Sequence, residues 1–265
     1  MNIELDINNI INMFNEKLSI IVKNINKEEY IYRYNSDKRV ISASLIKVPI
    51  MLTVFEKVKL GELNLNSQIL VKDEDILDDT EVFESGEGYY SLEELVNWMI
   101  IESDNTATNV IIDILGFKEI NDFIRNTMNL KSTCIQRKML DQQAIKNGFN
   151  NYTNQEDMLE VFEGLFKKDI LTEELCEKSI EILYNQRCQN QVMRYIYEPV
   201  KYAHKTGALD YLNHDVGIMN INNENFYIGV SVYDSKNIKG NKKLTGIIGK
   251  EIYEYLKNIT NNKDR

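Results

Sequence analysis

The stretch that most restricts the fold is Ala43-Ser44-Leu45-Ile46-Lys47-Val48-Pro49-Ile50-Met51-Leu52. From Val48 to Phe55 the chain is almost wholly apolar, so a helix built there has no polar face for water and must lie inside the molecule. Ser44 and Lys47 stand three residues apart, which stacks their side chains on one helix face. A serine hydroxyl is a weak nucleophile at neutral pH and needs an adjacent base. A lysine can be that base when burial or nearby cations disfavour its charged form. Pro49 leaves Leu45 without its usual helical donor, which is tolerable only near a helix start. The helix is therefore expected to begin close to Ser44. Alone, a Ser-x-x-Lys tetrapeptide decides little, because it arises about once by chance in a chain of this composition.

At 265 residues the chain can bury a large core, as one two-lobed domain or two small ones. Its hydrophobic content of 43% is that of a soluble globular protein. A formal charge of −10 with no basic cluster beyond pairs such as Lys242-Lys243 argues against nucleic acid or an anionic membrane as partner. Cys134, Cys176 and Cys188 lack Cys-x-x-Cys spacing and read as reduced thiols, with Cys134 expected to be buried and inert. With only His204 and His214, a zinc site on His-x-x-x-His spacing is excluded. No metal or cofactor is expected. The opening Met1-Asn2-Ile3-Glu4-Leu5-Asp6 carries acids and no continuous apolar core, unlike a secretory signal. No run approaches the roughly 18 apolar residues of a spanning helix. A cytoplasmic monomer is the expectation, unless a leader has been removed.

Ile3, Ile7, Ile10, Ile11 and Phe14 repeat at helical spacing. Leu18 to Val22 and Tyr30 to Tyr34 suit a hairpin, and Ile69 to Val71 a short strand. Gly86 and Gly88 read as turn residues. Ser91-Leu92-Glu93-Glu94 is a capping box opening a helix to about Ile101. Further helices are expected at 107–115, 119–127, 155–166 and 173–184, with a long irregular stretch from Lys131 to Asn154. Such stretches are usually functional or mobile. Strands follow at 202–206, 215–221 and 226–233, then a closing amphipathic helix from Leu244 to Ile259. The simplest architecture is α+β in a single domain, 1–265. Its sheet lobe, about 1–43 and 200–265, is flanked by the terminal helices, and an all-helical lobe, about 44–199, is inserted. A site between the lobes is expected.

Ser103-Asp104-Asn105 follows the capped helix, and Lys205-Thr206-Gly207 ends the first late strand. Ser-x-x-Lys, Ser-Asp-Asn and Lys-Thr-Gly in this order are the signature of class A β-lactamases and penicillin-binding proteins. On these residues the chain resembles the class A β-lactamase-like serine hydrolases of the penicillin-recognising superfamily. The likeness extends to Ser103 through Asn109, Tyr90 through Leu95, Asn151-Tyr152-Thr153 with Asp157-Met158, and the runs at His204 and His214. It covers nearly the whole chain. It implies a class A β-lactamase-like fold and an acyl-enzyme mechanism. Ser44 would attack the carbonyl and Lys47 would take its proton. Ser103 would relay that proton to the leaving nitrogen. Asn105 would bind the substrate's side-chain amide and hold Lys47. Lys205 would add positive field and attract a carboxylate, Thr206 would donate to it, and Gly207 completes that substrate-binding triplet. The backbone N–H groups of Ser44 and Ala208 would form the oxyanion hole. His204 and His214 read as structural.

The resemblance has one break. Class A β-lactamases carry a glutamate two residues after an arginine in their long loop, and it activates the deacylating water. Aligning Arg137 with that arginine puts Met139 at the glutamate position, and a thioether cannot accept a proton from water. Asp141 is the nearest carboxylate. The expected function is cleavage of a β-lactam or related amide through acyl-Ser44, with slow deacylation. The alternatives are a peptidase, esterase or amidase on another peptide-like substrate, or a penicillin- or cell-wall-fragment-binding protein that does not turn over.

Overall fold

A computed structural model describes residues 3–237 and 240–261; Met1, Asn2, 238–239 and 262–265 lie outside the described residues. The chain opens with helix α1 (Ile3–Phe14), which buries Ile3, Ile7 and Ile11. Strands β1 (Lys17–Asn24) and β2 (Glu29–Tyr34) form the expected antiparallel hairpin. Strand β3 (Val40–Ile41) leads into a 3-10 turn over Ala43–Ile46 and then α2 (Lys47–Lys59). Strand β4 (Gln68–Val71) pairs with β5 (Gly88–Ser91). Gly88 therefore opens a strand instead of a turn. A Cβ there would lie 3.1 Å from the Tyr90 hydroxyl, so the glycine makes room for that ring.

Helix α3 (Leu92–Ile101) starts on the capping box. Ser91 Oγ accepts from the Glu94 N–H at 3.2 Å, and the Glu94 carboxylate accepts from the Ser91 N–H at 2.7 Å. The two helices expected across 107–127 are joined into α4 (Asn105–Asp122), broken at Gly116 (φ 77°, ψ 150°) and prolonged by a wider turn over Phe123–Thr127. That backbone conformation suits glycine and few others. The long stretch that follows holds α5 (Gln142–Lys146) and β6 (Tyr152–Thr153). Then come α6 (Gln155–Lys167), α7 (Glu173–Tyr184), β7 (Lys201–Leu209), β8 (Leu212–Ile221), β9 (Glu224–Tyr233) and α8 (Asn241–Asn261).

The main sheet has the order β2-β1-β9-β8-β7, antiparallel at every pairing. Side chains of successive strand residues point to opposite faces. On β1, Ile20 and Val22 pack with α1 and α8, while Ile21 joins the core of the helical region. On β8, Val216 and Ile218 face the helices, and Met219 and Ile221 face α1 and α8. Both faces are covered, which is why Leu18 to Val22 is buried throughout and apolar but for Ser19. The helical core centres on α2, whose residues from Lys47 to Phe55 are all buried. The short turn Val192–Tyr195 packs on α8, with Val192 and Ile196 in the core of the sheet side. Among the described residues no helix is long and apolar enough to cross a membrane.

The three cysteines are free. Cys134 is half-buried, short of the burial expected, because the Arg39 guanidinium reaches it from the surface and donates to its Sγ at 3.1 Å. His204 is buried, stacked on Tyr202, with Nδ1 2.7 Å from Asp215. His214 is buried on β8 and its Nε2 donates to the Ile41 carbonyl at 2.9 Å, tying the sheet to the strand before Ser44. Burial pushes the His214 imidazole down from 6.5 to about 4. A depressed folded value means stability that is complete above the unfolded pKa and is lost as pH falls from 6.5 toward about 4. The full loss corresponds to roughly 3 kcal/mol. Denaturant unfolding followed from neutral pH to about pH 4 should show His214→Gln losing less stability than the wild type across that window. Parallel curves for the two proteins would exclude this linkage.

Candidate active site

Helix α2 places the site because its apolar flanks leave it no other position. Pro49 is its third residue, and the Lys47 N–H turns toward the Ser44 and Leu45 carbonyls in the preceding 3-10 turn. The helix proper thus begins at Lys47, one turn later than Ser44, and Ser44 sits half-buried at its mouth. Ala43 precedes it with φ +44°, a left-handed conformation uncommon for a residue with a Cβ.

Lys47 is fully buried. Its Nζ donates to the Ser103 carbonyl at 2.5 Å and to Asn105 Oδ1 at 2.8 Å, and lies 3.3 Å from Ser103 Oγ. Lys205 is equally buried; its Nζ donates to Ser103 Oγ at 2.9 Å and to the Thr206 carbonyl at 2.9 Å. One serine hydroxyl therefore stands between two lysine amines. Desolvation is the larger force on Lys47 and the charge of Lys205 the next, together holding it well below the usual lysine range; Asp104 and Asp79 act the other way. Burial brings Lys205 down to about 8, against the pull of Cys188 and Asp215.

Ser103 itself has φ +58°. The chain reverses there between α3 and α4, with the N–H groups of Glu102 and Asp104 both on the Trp98 carbonyl. Asp104 caps α4, accepting from the Ala107 N–H at 2.7 Å and from Thr80 Oγ1 at 2.5 Å. The ordinary use of an aspartate before a helix and the arrangement of Ser103 and Asn105 are thus one device. Across the cleft, β7 is the edge strand of the sheet. At Gly207 an added Cβ would lie 3.2 Å from the Ser44 nitrogen and 3.1 Å from the Ser42 carbonyl. Only glycine lets β7 come this near the Ser44 turn, and Ala208 follows it.

Ser44, Asn105 and Ala208 line a cleft of about 910 Å³. Met139 and Leu140 line it too, as do Arg194 and Lys242, two cations that sequence reasoning did not single out. Arg194 lies in a turn without any motif, and its place follows from packing on α8 alone. The long stretch is held by carboxamide and carboxylate side chains acting as backbone surrogates. Asn109 Oδ1 accepts from the Met139 N–H at 2.7 Å, and its Nδ2 donates to the Met139 carbonyl at 3.1 Å. Asn151 and Asp157 bind the segments around Arg137 and Thr133 in the same way. Met139 is buried, and its neighbour Asp141 spends its carboxylate capping α5, accepting from the Ala144 N–H at 2.8 Å. Among the described residues lining the cleft, the one carboxylate is Asp210, on the β7–β8 turn. No group of three or more His, Cys, Asp or Glu among the described residues could hold a metal ion.

A family model described as the β-lactamase enzyme family matches residues 2–256. The β-lactamase VEB-1 of Pseudomonas aeruginosa is 24% identical over 97% of this chain and 91% of its own length. A class A β-lactamase from Bacteroides cellulosilyticus superposes with a TM-score of 0.85 at 20% identity, covering 97% of this chain and 98% of its own. A leucine-to-glutamate variant of PBP-A, solved as an acyl-enzyme complex with penicillin G, superposes at 0.86 with 22% identity and 97% of both chains. The motifs, the sheet order and these matches agree: the chain belongs to the β-lactamase enzyme family and has the class A β-lactamase fold.

Proposed function

We propose that this protein is a serine hydrolase that opens a β-lactam or a related amide through an acyl-Ser44 intermediate. The observation that carries the reading is the buried chain Lys47 Nζ, Ser103 Oγ, Lys205 Nζ, with Ser44 one turn away in the cleft. Burial and the charge of Lys205 disfavour the charged form of Lys47, which suits its amine to take the Ser44 proton as Oγ attacks the carbonyl carbon. The developing oxyanion is met by the N–H groups of Ser44 and Ala208. The proton then passes from Lys47 through Ser103 Oγ to the leaving nitrogen as the amide C–N bond breaks. Lys205, charged below about 8, and Thr206 attract the substrate carboxylate. Gly207 keeps the strand close enough for this to occur.

Loss of the acyl group needs an activated water, and aligning Arg137 with the family's arginine puts Met139 at the position of its glutamate. Losing a general base costs roughly 100- to 10,000-fold, or about 3–5 kcal/mol of barrier. Acylation is therefore faster than deacylation. The same observation favours a second reading, a protein that captures penicillin and scarcely releases it, in keeping with the likeness to PBP-A. Intact mass followed for hours after mixing with penicillin G separates the two. A long-lived adduct with one equivalent consumed supports capture, and many equivalents consumed support turnover.

The adduct should map to Ser44 and vanish in Ser44→Ala; a label on another serine excludes the mechanism. Lys47→Ala should slow acylation roughly 100- to 10,000-fold. Met139→Glu should speed loss of the adduct. A wild type that sheds it within seconds would remove the argument from Met139.

Acylation by a carboxylate-bearing substrate should stay level across neutral pH and fall above about 8, as Lys205 loses its proton. An uncharged ester should lack that alkaline fall. Stopped-flow acylation rates across pH for both substrates decide this, and identical alkaline limbs would exclude the role given to Lys205.

A further inference from the structure

The segment between β4 and β5 lies along the Ser-Asp-Asn motif and bonds to three consecutive residues, Asp104 and Asn105 of the motif and Thr106 after it. The Leu77 N–H donates to Thr106 Oγ1 at 2.9 Å, Asp79 Oδ2 accepts from Asn105 Nδ2 at 2.7 Å, and Thr80 Oγ1 donates to Asp104 at 2.5 Å. Asp79 is thus fixed on both sides while its carboxylate remains exposed. The Asn105 amide is spoken for at both ends: Oδ1 takes the Lys47 amine at 2.8 Å and Nδ2 gives one N–H to Asp79. A primary amide has a second N–H, and Asn105 lines the cleft.

A substrate amide oxygen that takes this second N–H lies about 5 Å from the Asp79 carboxylate, two hydrogen-bond lengths opened by about 120°. The substituent on the carbon next to that carbonyl falls within the same range. We propose that Asp79 is a specificity-determining residue that selects substrates bearing a cation, such as an α-ammonium group, on the acyl side of the scissile amide. Together with the carboxylate attracted by Lys205, the preferred substrate class is a zwitterion: ammonium on the acyl side, carboxylate on the leaving side. The inference rests on the proposed acyl transfer at Ser44 and deepens it.

The groups around Asp79 are consistent with this. Asp104 is buried and its oxygens are taken by Thr80 and the α4 cap, so it offers no charge to the cleft mouth. Lys47 and Asp79 bind opposite ends of the Asn105 amide, and the Asp79 charge favours the charged form of Lys47. Asp78 is the exposed neighbour, beside a residue bonded to Asn105 but not itself the bonded one. It therefore serves as a control for diffuse charge.

Three penicillins share one phenylacetyl skeleton and differ only in the charge next to the side-chain carbonyl: ampicillin (ammonium), benzylpenicillin (none) and carbenicillin (carboxylate). Acylation rates at about pH 6, where the α-amino group is protonated, are expected in that order. The ratio of ampicillin to carbenicillin should fall roughly 10-fold in Asp79→Asn when each rate is referred to benzylpenicillin. The wild-type preference should shrink at high salt, as an exposed charge pair does, and Asp78→Asn should leave most of it.

Removing the Asp79 charge also makes Lys47 more basic-poor, which moves the acid limb of every substrate alike and leaves the ratio untouched. A ratio unchanged in Asp79→Asn, or changed equally in Asp78→Asn, overturns the inference while the acyl-enzyme reading stands. Calorimetric binding of the same three penicillins to Ser44→Ala tests it without chemistry. The same order there supports the inference even if no adduct forms in the wild type, and no order overturns it.

Discussion

The structure depends on the burial of two lysine amines against one serine hydroxyl. Taking an ammonium out of water is costly, and a lysine so placed loses its proton or finds a partner for it. Lys47 and Lys205 are both fully buried and share Ser103. The charge of Lys205 disfavours that of Lys47, and the two are unequal. Lys47 is held well below the lysine range, whereas Lys205 comes down only to about 8. The charged form is thus disfavoured more strongly at Lys47 than at Lys205. In the proposed mechanism a base and an electrostatic anchor come from the same residue type, separated by environment alone.

Holding that pair requires backbone that is not at rest. Ala43 and Ser103 have positive φ, as does Leu140 across the cleft, and none is glycine. Such conformations cost on the order of 1–3 kcal/mol each and persist only where the surroundings fix them. At Ser103 the fixing is visible: the Trp98 carbonyl takes two N–H groups, Asp104 caps α4, and Thr80 holds Asp104 from outside. At Ala43 the near approach of Gly207 does the same work from the sheet. Strain at the site is carried by ordinary hydrogen bonds a few residues away.

Much of this was legible in the sequence. The almost wholly apolar run after Lys47 demanded a central helix, the box at Ser91 marked the start of α3, and the amphipathic pattern of the terminal helices pointed to cover for the sheet. The motifs were readable because acyl-transfer chemistry restricts residue type at each position. What was not legible depends on distant packing. Gly88 reads as a turn residue because nothing local shows that the Tyr90 ring needs its space. Arg194 and Lys242 reach the cleft only because a short turn lies on α8. Asp79 carries no motif at all, and its bond to Asn105 spans 26 positions.

The irregular stretch between Lys131 and Asn154 shows how a segment with little regular structure can still present one side chain with definition. Its polar backbone groups need partners, and the partners are side chains. Asn109, Asn121 and Asn151 each bind both an N–H and a carbonyl of the stretch, as a neighbouring strand would. A carboxamide suits this because it donates and accepts at once. The choice at position 139 is therefore separable from the loop that carries it, since Asn109 grips only the backbone there. Chemistry at that point can change by one side chain while the scaffold stays. Under the proposed mechanism, a thioether there would slow the loss of an acyl group without altering how it is formed.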